Sequence, residues 1–408
     1  MVWVMIKIGL IGKTNTGKTT FFNAATLLSA EISTYPFTTK EPNIGRAYVQ
    51  TICVCKELGV KDNPQNSFCI DGWRFIPIEL IDLPGLIKGA WLGKGLGTAF
   101  LSVAAQADAL LHVVDASGSV DSEGRLTKPG FGNPILDVYD VEEELTRWFA
   151  KTIEKSSKRI IKQADKSGGD LAEAITEILA GLKIKSFHVT KALEASDLKN
   201  KKMINWSEAD YLNFAKSLRW LSKPTIIIAN KMDIAQAEEN FKKLCEEFKD
   251  IIVVPCSSDA ELALRRAEQK GFIKYIPGEE TFKVIDESKL TKEQKWALNY
   301  VQQRVLSKFI GTGVQFALNL SVFKLLRMNV VYPVEDPEHL TDKKGNVLPD
   351  AFLVPGDATL KDLASQIHSE LAQTLIYGID ARTGLRLPIN YILRDRDIIN
   401  IVAASKRR

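Results

Sequence analysis

The sequence predicts an α/β fold with a doubly wound, mainly parallel sheet, a helical insertion inside it, and a smaller α+β module at the C-terminal end. Three observations predict it. First, residues 4–11, 76–81, 109–114, 225–229 and 251–254 are short runs dense in Val, Ile and Leu, the composition of strands buried on both faces. Second, stretches with helical spacing separate them, at residues 18–28, 95–107, 210–221 and 235–248, the alternation of an open sheet wound by crossover helices. Third, from residue 329 the texture changes. Strand-like runs at 330–334, 351–354, 391–393 and 398–402 surround one helical stretch at 360–371, with Asp357 or Thr359 as its cap.

One connection breaks the pattern. A strand ends at Asp115 and the next opens at Pro224, more than a hundred residues on, whereas a crossover needs about a dozen. The intervening stretch is rich in Glu, Lys, Ala, Ile and Leu at helical spacing, as in Leu145, Trp148, Phe149 and Ile153. It reads as a helical hairpin or small bundle, with Asp170 as a helix N-cap after the Gly168-Gly169 turn. The expected division is therefore 1–119 and 206–280 for the α/β domain, 120–205 for the insertion, 281–327 for connecting helices and 328–408 for the last module.

Composition narrows the classes. The 408 residues allow two or three domains with real cores. A net charge of +4 permits a nucleic-acid partner without arguing for one. No apolar run is long enough for a membrane span, and residues 2–10 are too short and poorly flanked for a signal peptide. Five scattered cysteines read as reduced thiols of a cytoplasmic protein, expected to be a monomer. Cys53 and Cys55, two apart, would make half a metal-ligand set, but the lack of a second Cys or His pair near them in sequence argues against a metal site. His112, inside an apolar run, reads as a core residue.

Gly12-Lys13-Thr14-Asn15-Thr16-Gly17-Lys18-Thr19 follows a buried strand and opens a helix. In that context the pattern is a phosphate-binding loop. Gly12 and Gly17 let the backbone wrap an anion, and the loop N–H groups with the helix N-terminus, through Thr20, face phosphate. Lys18 supplies a point charge between β- and γ-phosphates, and the Thr19 hydroxyl is a hard ligand for Mg²⁺. Asp82-Leu83-Pro84-Gly85 ends the next strand. Asp82 is placed to hold Mg²⁺ through water, and the Gly85 N–H to meet a γ-phosphate. Between them, Thr38 or Thr39 in Tyr35-Pro36-Phe37-Thr38-Thr39 would close over γ-phosphate and Mg²⁺ when a triphosphate is bound, Thr39 being preferred. Asn230-Lys231-Met232-Asp233 follows a further strand. The Asp233 carboxylate, an acceptor only, suits the N1–H and exocyclic amine of guanine, an edge adenine lacks. The Lys231 stem can cover the base plane, and the Ser257-Ser258 step would bring a backbone N–H to guanine O6. Together these stretches predict GTP/GDP binding with Mg²⁺.

On these residues the chain resembles the Obg-related translation-factor GTPases, and within them the YchF-like branch. The stretch from Asp82 to Ala90, continuing through Gly93-Lys94-Gly95-Leu96-Gly97, is similar to that family's second switch, and Tyr35 to Thr39 with Pro42-Asn43 to its first. The C-terminal module resembles a TGS domain, a ubiquitin-like β-grasp fold, most tellingly at Leu393-Arg394-Asp395-Arg396-Asp397. The insertion stands where the branch carries a coiled coil. The resemblance implies a P-loop GTPase switch that docks on the ribosome or RNA through its helical and TGS parts. Many members of the branch have lost the guanine-reading aspartate and prefer ATP; this chain keeps Asp233. Leu86 occupies the position where other GTPases orient water with Gln, so hydrolysis is expected to be slow, with Lys18, Thr39, Gly85 and Asn15 as the catalytic set. Asn15 offers a site for K⁺ against the phosphates. A P-loop kinase of small molecules, or a nucleotide-stabilised binding module without turnover, are the competing classes.

Overall fold

The computed structural model describes residues 5–26, 42–85, 89–92, 97–166 and 168–404. Strand β1 (Lys7–Ile11) leads to helix α1 (Lys18–Thr26). Strand β2 (Asn43–Ile52), the short helix α2 (Val54–Leu58), β3 (Phe68–Ile70) and β4 (Trp73–Asp82) follow, then α3 (Gly97–Ala104) and β5 (Ala109–Asp115). The insertion supplies α4 (Pro134–Lys166), α5 (Leu171–Ile178) and α6 (Ser186–Ala195), and α7 (Glu208–Ser222) returns to the sheet. There β6 (Thr225–Asn230), α8 (Ala237–Glu247), β7 (Val253–Pro255) and α9 (Ser258–Gln269) complete the winding.

The strands order as β2-β4-β1-β5-β6-β7, with β3 paired to β4. β1 runs parallel to β5, β5 to β6, and β6 to β7. Every residue of β5 and β6 is buried, which is why these strands read as unbroken apolar runs. Strand β2 was not anticipated, because Arg46, Gln50 and Thr51 interrupt its apolar residues. The antiparallel β3–β4 hairpin was also missed, although Asp71-Gly72, both at positive φ (49° and 81°), is the turn signal for it.

The insertion does not begin as helix at residue 120. Residues 117–133 form a looped segment, and only Pro134, a residue suited to a first helical turn, opens the 33-residue helix α4. Its stripe of Val141, Leu145, Trp148, Phe149 and Ile153 packs with Ile175, Val189, Phe214 and Leu218 of α5, α6 and α7. Asp170 caps α5, accepting from Glu173 N at 3.0 Å, as its position after two glycines implies.

Further on come β8 (Ile273–Lys274), β9 (Lys283–Val284), α10 (Lys292–Val301) and α11 (Val314–Asn319). Within the stretch 281–327 expected as connecting helices, α10 continues into a wider π-turn at Gln302–Leu306. The last module holds β10 (Met328–Val334), β11 (Phe352–Pro355), α12 (Leu360–Ile367), α13 (Ser369–Thr374), β12 (Leu375–Asp380), β13 (Arg386–Leu387) and β14 (Asp397–Ala403). Its sheet orders β11-β10-β14-β12-β13, with β10 and β14 parallel at the centre. Leu360 and Leu363 of α12 share a core with Val331, Val354 and Ile399 of that sheet, the arrangement of a β-grasp. Thr359, rather than Asp357, caps α12. Residues 391–393, expected as a strand, form a turn that keeps only a single bridge from Ile392 to Thr359. Strand β12 takes that place in the sheet.

The chain divides into two compact units. One holds the described residues up to Ile6, residues 46–79 and the chain from Leu318 onward; the other holds the described parts of 7–45 and 80–317. Among the described residues, no helix is long and apolar enough to cross a membrane.

Candidate functional site

The loop between β1 and α1 takes a shape that its glycines permit. Gly12 has φ 142° and Gly17 φ 97°. A Cβ at Gly12 would stand 2.2 Å from the Val113 carbonyl oxygen, and one at Gly17 2.2 Å from Asn230 Nδ2. No other residue fits either place. Thr16 is buried within the loop and its hydroxyl donates to the Lys13 carbonyl at 3.0 Å. Lys18 is buried at the start of α1, where its ammonium donates to the same carbonyl at 2.6 Å. Burial pushes its pKa down to about 8 against the pull of Asp82. A buried cation with one neutral acceptor is prepared for an anion.

Asp82, at the tip of β4, stands beside this loop. Its Oδ2 accepts from Thr19 Oγ1 at 2.8 Å and from Asn43 Nδ2 at 3.3 Å. Its Oδ1 is buried with no hydrogen-bond partner among the described residues, and burial raises its pKa despite Thr19 and Lys18. An orphaned carboxylate oxygen beside a threonine hydroxyl fits the hard-oxygen donor set of Mg²⁺. Gly85 abuts the phosphate loop so closely that a Cβ there would lie 2.3 Å from Thr14 Oγ1. Thr14, Asn15, Lys18, Thr19, Thr20, Asp82, Gly85, Asn230 and Lys231 thus line one cavity of about 380 Å³. Thr38, Thr39 and Leu86 lie outside the described residues.

Two loop side chains point elsewhere. Lys13 Nζ binds Asp137 Oδ1 at 2.8 Å and Asp140 Oδ2 at 2.5 Å on α4, and these carboxylates outweigh burial in holding it charged. Only its backbone is free to meet a ligand. Asn15, itself at φ 63°, donates from Nδ2 to the Gly124 carbonyl at 2.9 Å. Residues 117–133 therefore reach the phosphate loop, and Leu126 joins the cavity wall.

The base-reading segment is braced from several elements. Asn230 Nδ2 donates to the Thr16 carbonyl at 2.9 Å, while its Oδ1 accepts from Ser258 N at 3.0 Å and Ser258 Oγ at 2.9 Å. It ties the phosphate loop to the start of α9. Lys231 (φ 65°) sends its ammonium to Asp115 Oδ2 at 2.9 Å and Ser119 Oγ at 3.1 Å, which fixes the direction of its stem. Met232 is buried in the core with Ala237 and Leu244 of α8 and does not line the cavity. Asp233 Oδ1 accepts from Ser257 Oγ at 2.7 Å, and its carbonyl from Tyr300 Oη at 3.0 Å. The expected free N–H at Ser257-Ser258 is not found: Ser257 N donates to the Thr312 carbonyl at 2.8 Å and Ser258 N to Asn230. A guanine O6 contact there would have to share the Ser258 donor. Asp259, whose carboxyl is raised by burial and by Asp233, lines the cavity as well.

Sequence reasoning missed Asp115, Ser119, Asp259, Tyr300 and Glu144. Glu144 is the most consequential. From α4 it accepts from Gly89 N at 2.6 Å and Trp91 N at 3.1 Å, and Arg147 and Lys151 stand 5.5 and 5.3 Å from the centre of the Trp91 ring. Gly89 and Trp91 are thereby docked on the inserted helix. The acidic residue on an amphipathic stripe at Glu144 was the only hint. His112 is fully buried on β5 with its pKa pushed down by burial to about 3, a core residue as expected.

Family models match most of the chain. One described as a 50S ribosome-binding GTPase covers residues 7–231. One described as an Obg-like GTPase YGR210-like, G4 motif-containing domain covers 228–336, and a TGS domain model covers 339–403. An uncharacterized GTP-binding protein of Methanocaldococcus jannaschii is 47% identical over 98% of this chain and 100% of its own length. The ribosome-binding ATPase YchF of Bacillus subtilis is 33% identical over 64% of this chain and 68% of its own. A crystal structure of a GTP binding protein from Pyrococcus horikoshii superposes with a TM-score of 0.77 at 36% identity, over 98% of this chain and 100% of that one. The YchF GTPase of Schizosaccharomyces pombe shares the fold, with a TM-score of 0.54 at 16% identity over 97% of each chain.

Proposed function

The chain belongs to the YchF/Obg-like family of GTP-binding P-loop proteins with a C-terminal TGS domain, and from that premise we propose that it is a Mg²⁺-dependent GTPase acting as a nucleotide-governed switch on the ribosome. The bracing of Asp233 carries the choice of base. Ser257 and Tyr300 hold it by side chain and backbone, and on this reading its second carboxylate oxygen takes hydrogen bonds from the guanine edge without a further cost of ordering the group. ATP would leave that carboxylate unpaired, a loss of about 1–3 kcal/mol or more that favours GTP by roughly one to several orders of magnitude. The point matters because the B. subtilis relative is named an ATPase.

On this reading the Lys231 stem covers the base, and the loop N–H groups with Lys18 hold the β- and γ-phosphates. Thr19 and Asp82 would hold Mg²⁺, which on binding supplies charge neutralisation at the phosphate oxygens. Thr39 is the proposed closing residue of the first switch. Leu86 offers no hydrogen bond to a water, so turnover is slow. The carbonyl half of the Asn15 amide, whose NH₂ is held by Gly124, is proposed to face K⁺, so hydrolysis runs faster in K⁺ than in Na⁺ at equal ionic strength. The ribosome enters through the ribosome-binding role in the name of the B. subtilis relative and through the helical region 141–220, the inserted helices with most of α7, which carries 15 Lys and Arg against 12 Asp and Glu.

Titrating GTP, ATP and XTP tests the base. Asp233→Asn should weaken GTP by about 100-fold and strengthen XTP; unchanged GTP affinity sinks the assignment. Single-turnover hydrolysis with and without ribosomes, and co-sedimentation with ribosomal subunits in GTP, GDP or no nucleotide, test the switch. Equal sedimentation in all three states would refute it.

A further inference from the structure

Cys53, Cys55 and Cys69, scattered in the sequence, meet at one place together with Asp62. Cys53 follows strand β2 as the N-cap residue of α2, Cys55 lies in α2, Asp62 in the loop that follows, and Cys69 in β3. Their ligand atoms, three thiol sulfurs and a carboxylate oxygen, all lie within 4.8 Å of one another. Cys55 Sγ and Cys69 Sγ are 3.7 Å apart, and Cys53 Sγ is 3.3 Å from Asp62 Oδ2. A tetrahedral Zn²⁺ with Zn–S bonds of about 2.3 Å spaces its ligands about 3.8 Å apart along each edge. Two of the six edges are already near that spacing, and none exceeds 4.8 Å.

The backbone holds them there. Cys53 N donates to the Gly72 carbonyl at 2.9 Å, its carbonyl accepts from Lys56 N at 3.2 Å, and the Cys55 carbonyl accepts from Val60 N at 3.0 Å. The strand end, the short helix and the hairpin are therefore pinned to each other around the cluster. Cys53 and Cys55 are buried, while Cys69 is partly exposed, which leaves a path for a metal to enter.

A second observation points the same way. Arg74 is fully buried, and a guanidinium is a cation with five donors and no acceptor. Its Nη1 meets Ser67 Oγ at 3.2 Å and its Nη2 the Leu348 carbonyl at 2.6 Å, both neutral acceptors. Asp62, 3.7 Å from Nη2, is its ion-pair partner among the described residues, and its Nε has no hydrogen-bond partner there. Three thiolates and a carboxylate around a dication carry a net charge of −2. Such a cluster supplies the anion that a buried guanidinium requires, and the guanidinium in turn steadies the thiolates.

We propose that Cys53, Cys55, Asp62 and Cys69 bind one Zn²⁺ in a structural site. Four protein ligands leave no open position for a substrate. The site locks the segment from Cys53 to Cys69, which is too short in regular structure to order itself. It is independent of the nucleotide cavity, whose oxygen ligands belong to the other unit.

The test uses the full-length protein purified with its thiols reduced. Elemental analysis is expected to find one zinc per chain. After removal by a chelator, Co²⁺ should give a thiolate-to-cobalt charge-transfer band with tetrahedral visible bands. Cobalt at Thr19 and Asp82 could not produce these, since that site holds no sulfur. Competition against a chromophoric chelator should show Cys69→Ser lowering zinc affinity by more than about 100-fold, beyond the effect of losing an outer-shell partner. Cys245→Ser, which removes an exposed thiol elsewhere, should leave it unchanged. Absence of zinc at stoichiometric level with no thiolate band from cobalt overturns the proposal in the wild-type protein alone, whatever the variants' fate. So does unchanged affinity in Cys69→Ser. A Cys55–Cys69 disulfide in the freshly reduced protein, in place of metal, overturns it as well.

Discussion

Asn230 carries more than its place in a motif suggests. Its amide satisfies the Thr16 carbonyl and two donors of Ser258 from a position only 2% exposed. Asn230→Ala strands those groups in the protein interior and should cost about 1–3 kcal/mol, read by chemical unfolding. Because it joins the phosphate loop to the base side, affinity for GDP and for free guanosine should fall together; loss of one alone would contradict the clamp. Lys223 offers a test that owes nothing to nucleotide. Its ammonium is buried against the Ala107 and Leu182 carbonyls at 2.9 and 2.7 Å, and burial pushes its pKa down to about 8. Between about pH 8 and the ordinary lysine value near 10.4 the unfolded chain binds more protons than the folded one, so this residue makes stability rise with pH across that window. Lys223→Met should flatten the rise by up to about 1.4 kcal/mol per pH unit. The slope of denaturant stability against pH is the readout, since Met also strands two carbonyls and lowers stability overall.

At the scale of elements, α4 links the inserted helices to the phosphate loop and to residues 89–91. Asp137 and Asp140 hold Lys13 of the phosphate loop, and one turn further Glu144 holds Gly89 and Trp91. Glu144→Gln keeps the shape and one carbonyl acceptor but removes the charge that strengthens both bonds. Amide exchange at residues 89–92 should quicken by about tenfold, matching a loss near 1.4 kcal/mol, while GDP affinity stays within about twofold. Unchanged exchange would mean that α4 does not hold this segment. These couplings explain what the sequence concealed. Gly12 to Thr19, Asp82 to Gly85 and Asn230 to Asp233 were legible because each is a short stretch whose chemistry is local. Buried parallel strands were legible because both faces demand apolar residues. Asp115, Ser119 and Tyr300 were not, because each acts on a residue more than sixty positions away and looks ordinary where it stands. Asp62 and Cys69 lie only 9 and 16 positions from Cys53, and Cys69 was hidden because the Asp71-Gly72 turn, whose Gly72 carbonyl accepts from Cys53 N, went unread. The looped segment before Pro134 was legible in principle, since Gly118, Gly124, Gly130 and Gly132 break any helix there.

At the scale of the molecule, the C-terminal module does not fold as an appendage. Residues 46–79 belong to the same compact unit as the chain from Leu318. Asn63 N donates to the Val347 carbonyl at 2.8 Å, Gln65 N to that of Pro349 at 2.6 Å, and Asn66 exchanges two hydrogen bonds with Ala351, each 3.0 Å. Arg74 is buried with the help of Leu348 and the Tyr332 ring, whose centre lies 5.3 Å away. The β3–β4 hairpin thus rests on residues nearly three hundred positions later. By contrast the phosphate loop, Asp82 and the Asn230 to Ser258 brace all lie in the other unit. Truncation after residue 317 should therefore act unevenly. It exposes the Arg74 guanidinium and strips the hairpin of its backbone partners, so residues 46–79 should lose amide protection by several orders of magnitude and approach the exchange of an unstructured segment. Residues 7–26 and 225–258 should keep most of theirs, and GDP should protect them further, because a ligand that binds only the folded unit stabilises it in proportion to its concentration. Uniform loss of protection across both sets would show a single cooperative body. Protection retained at 46–79 would show that the hairpin stands without the C-terminal module. The separation of the two units survives only if the loss is confined to the hairpin.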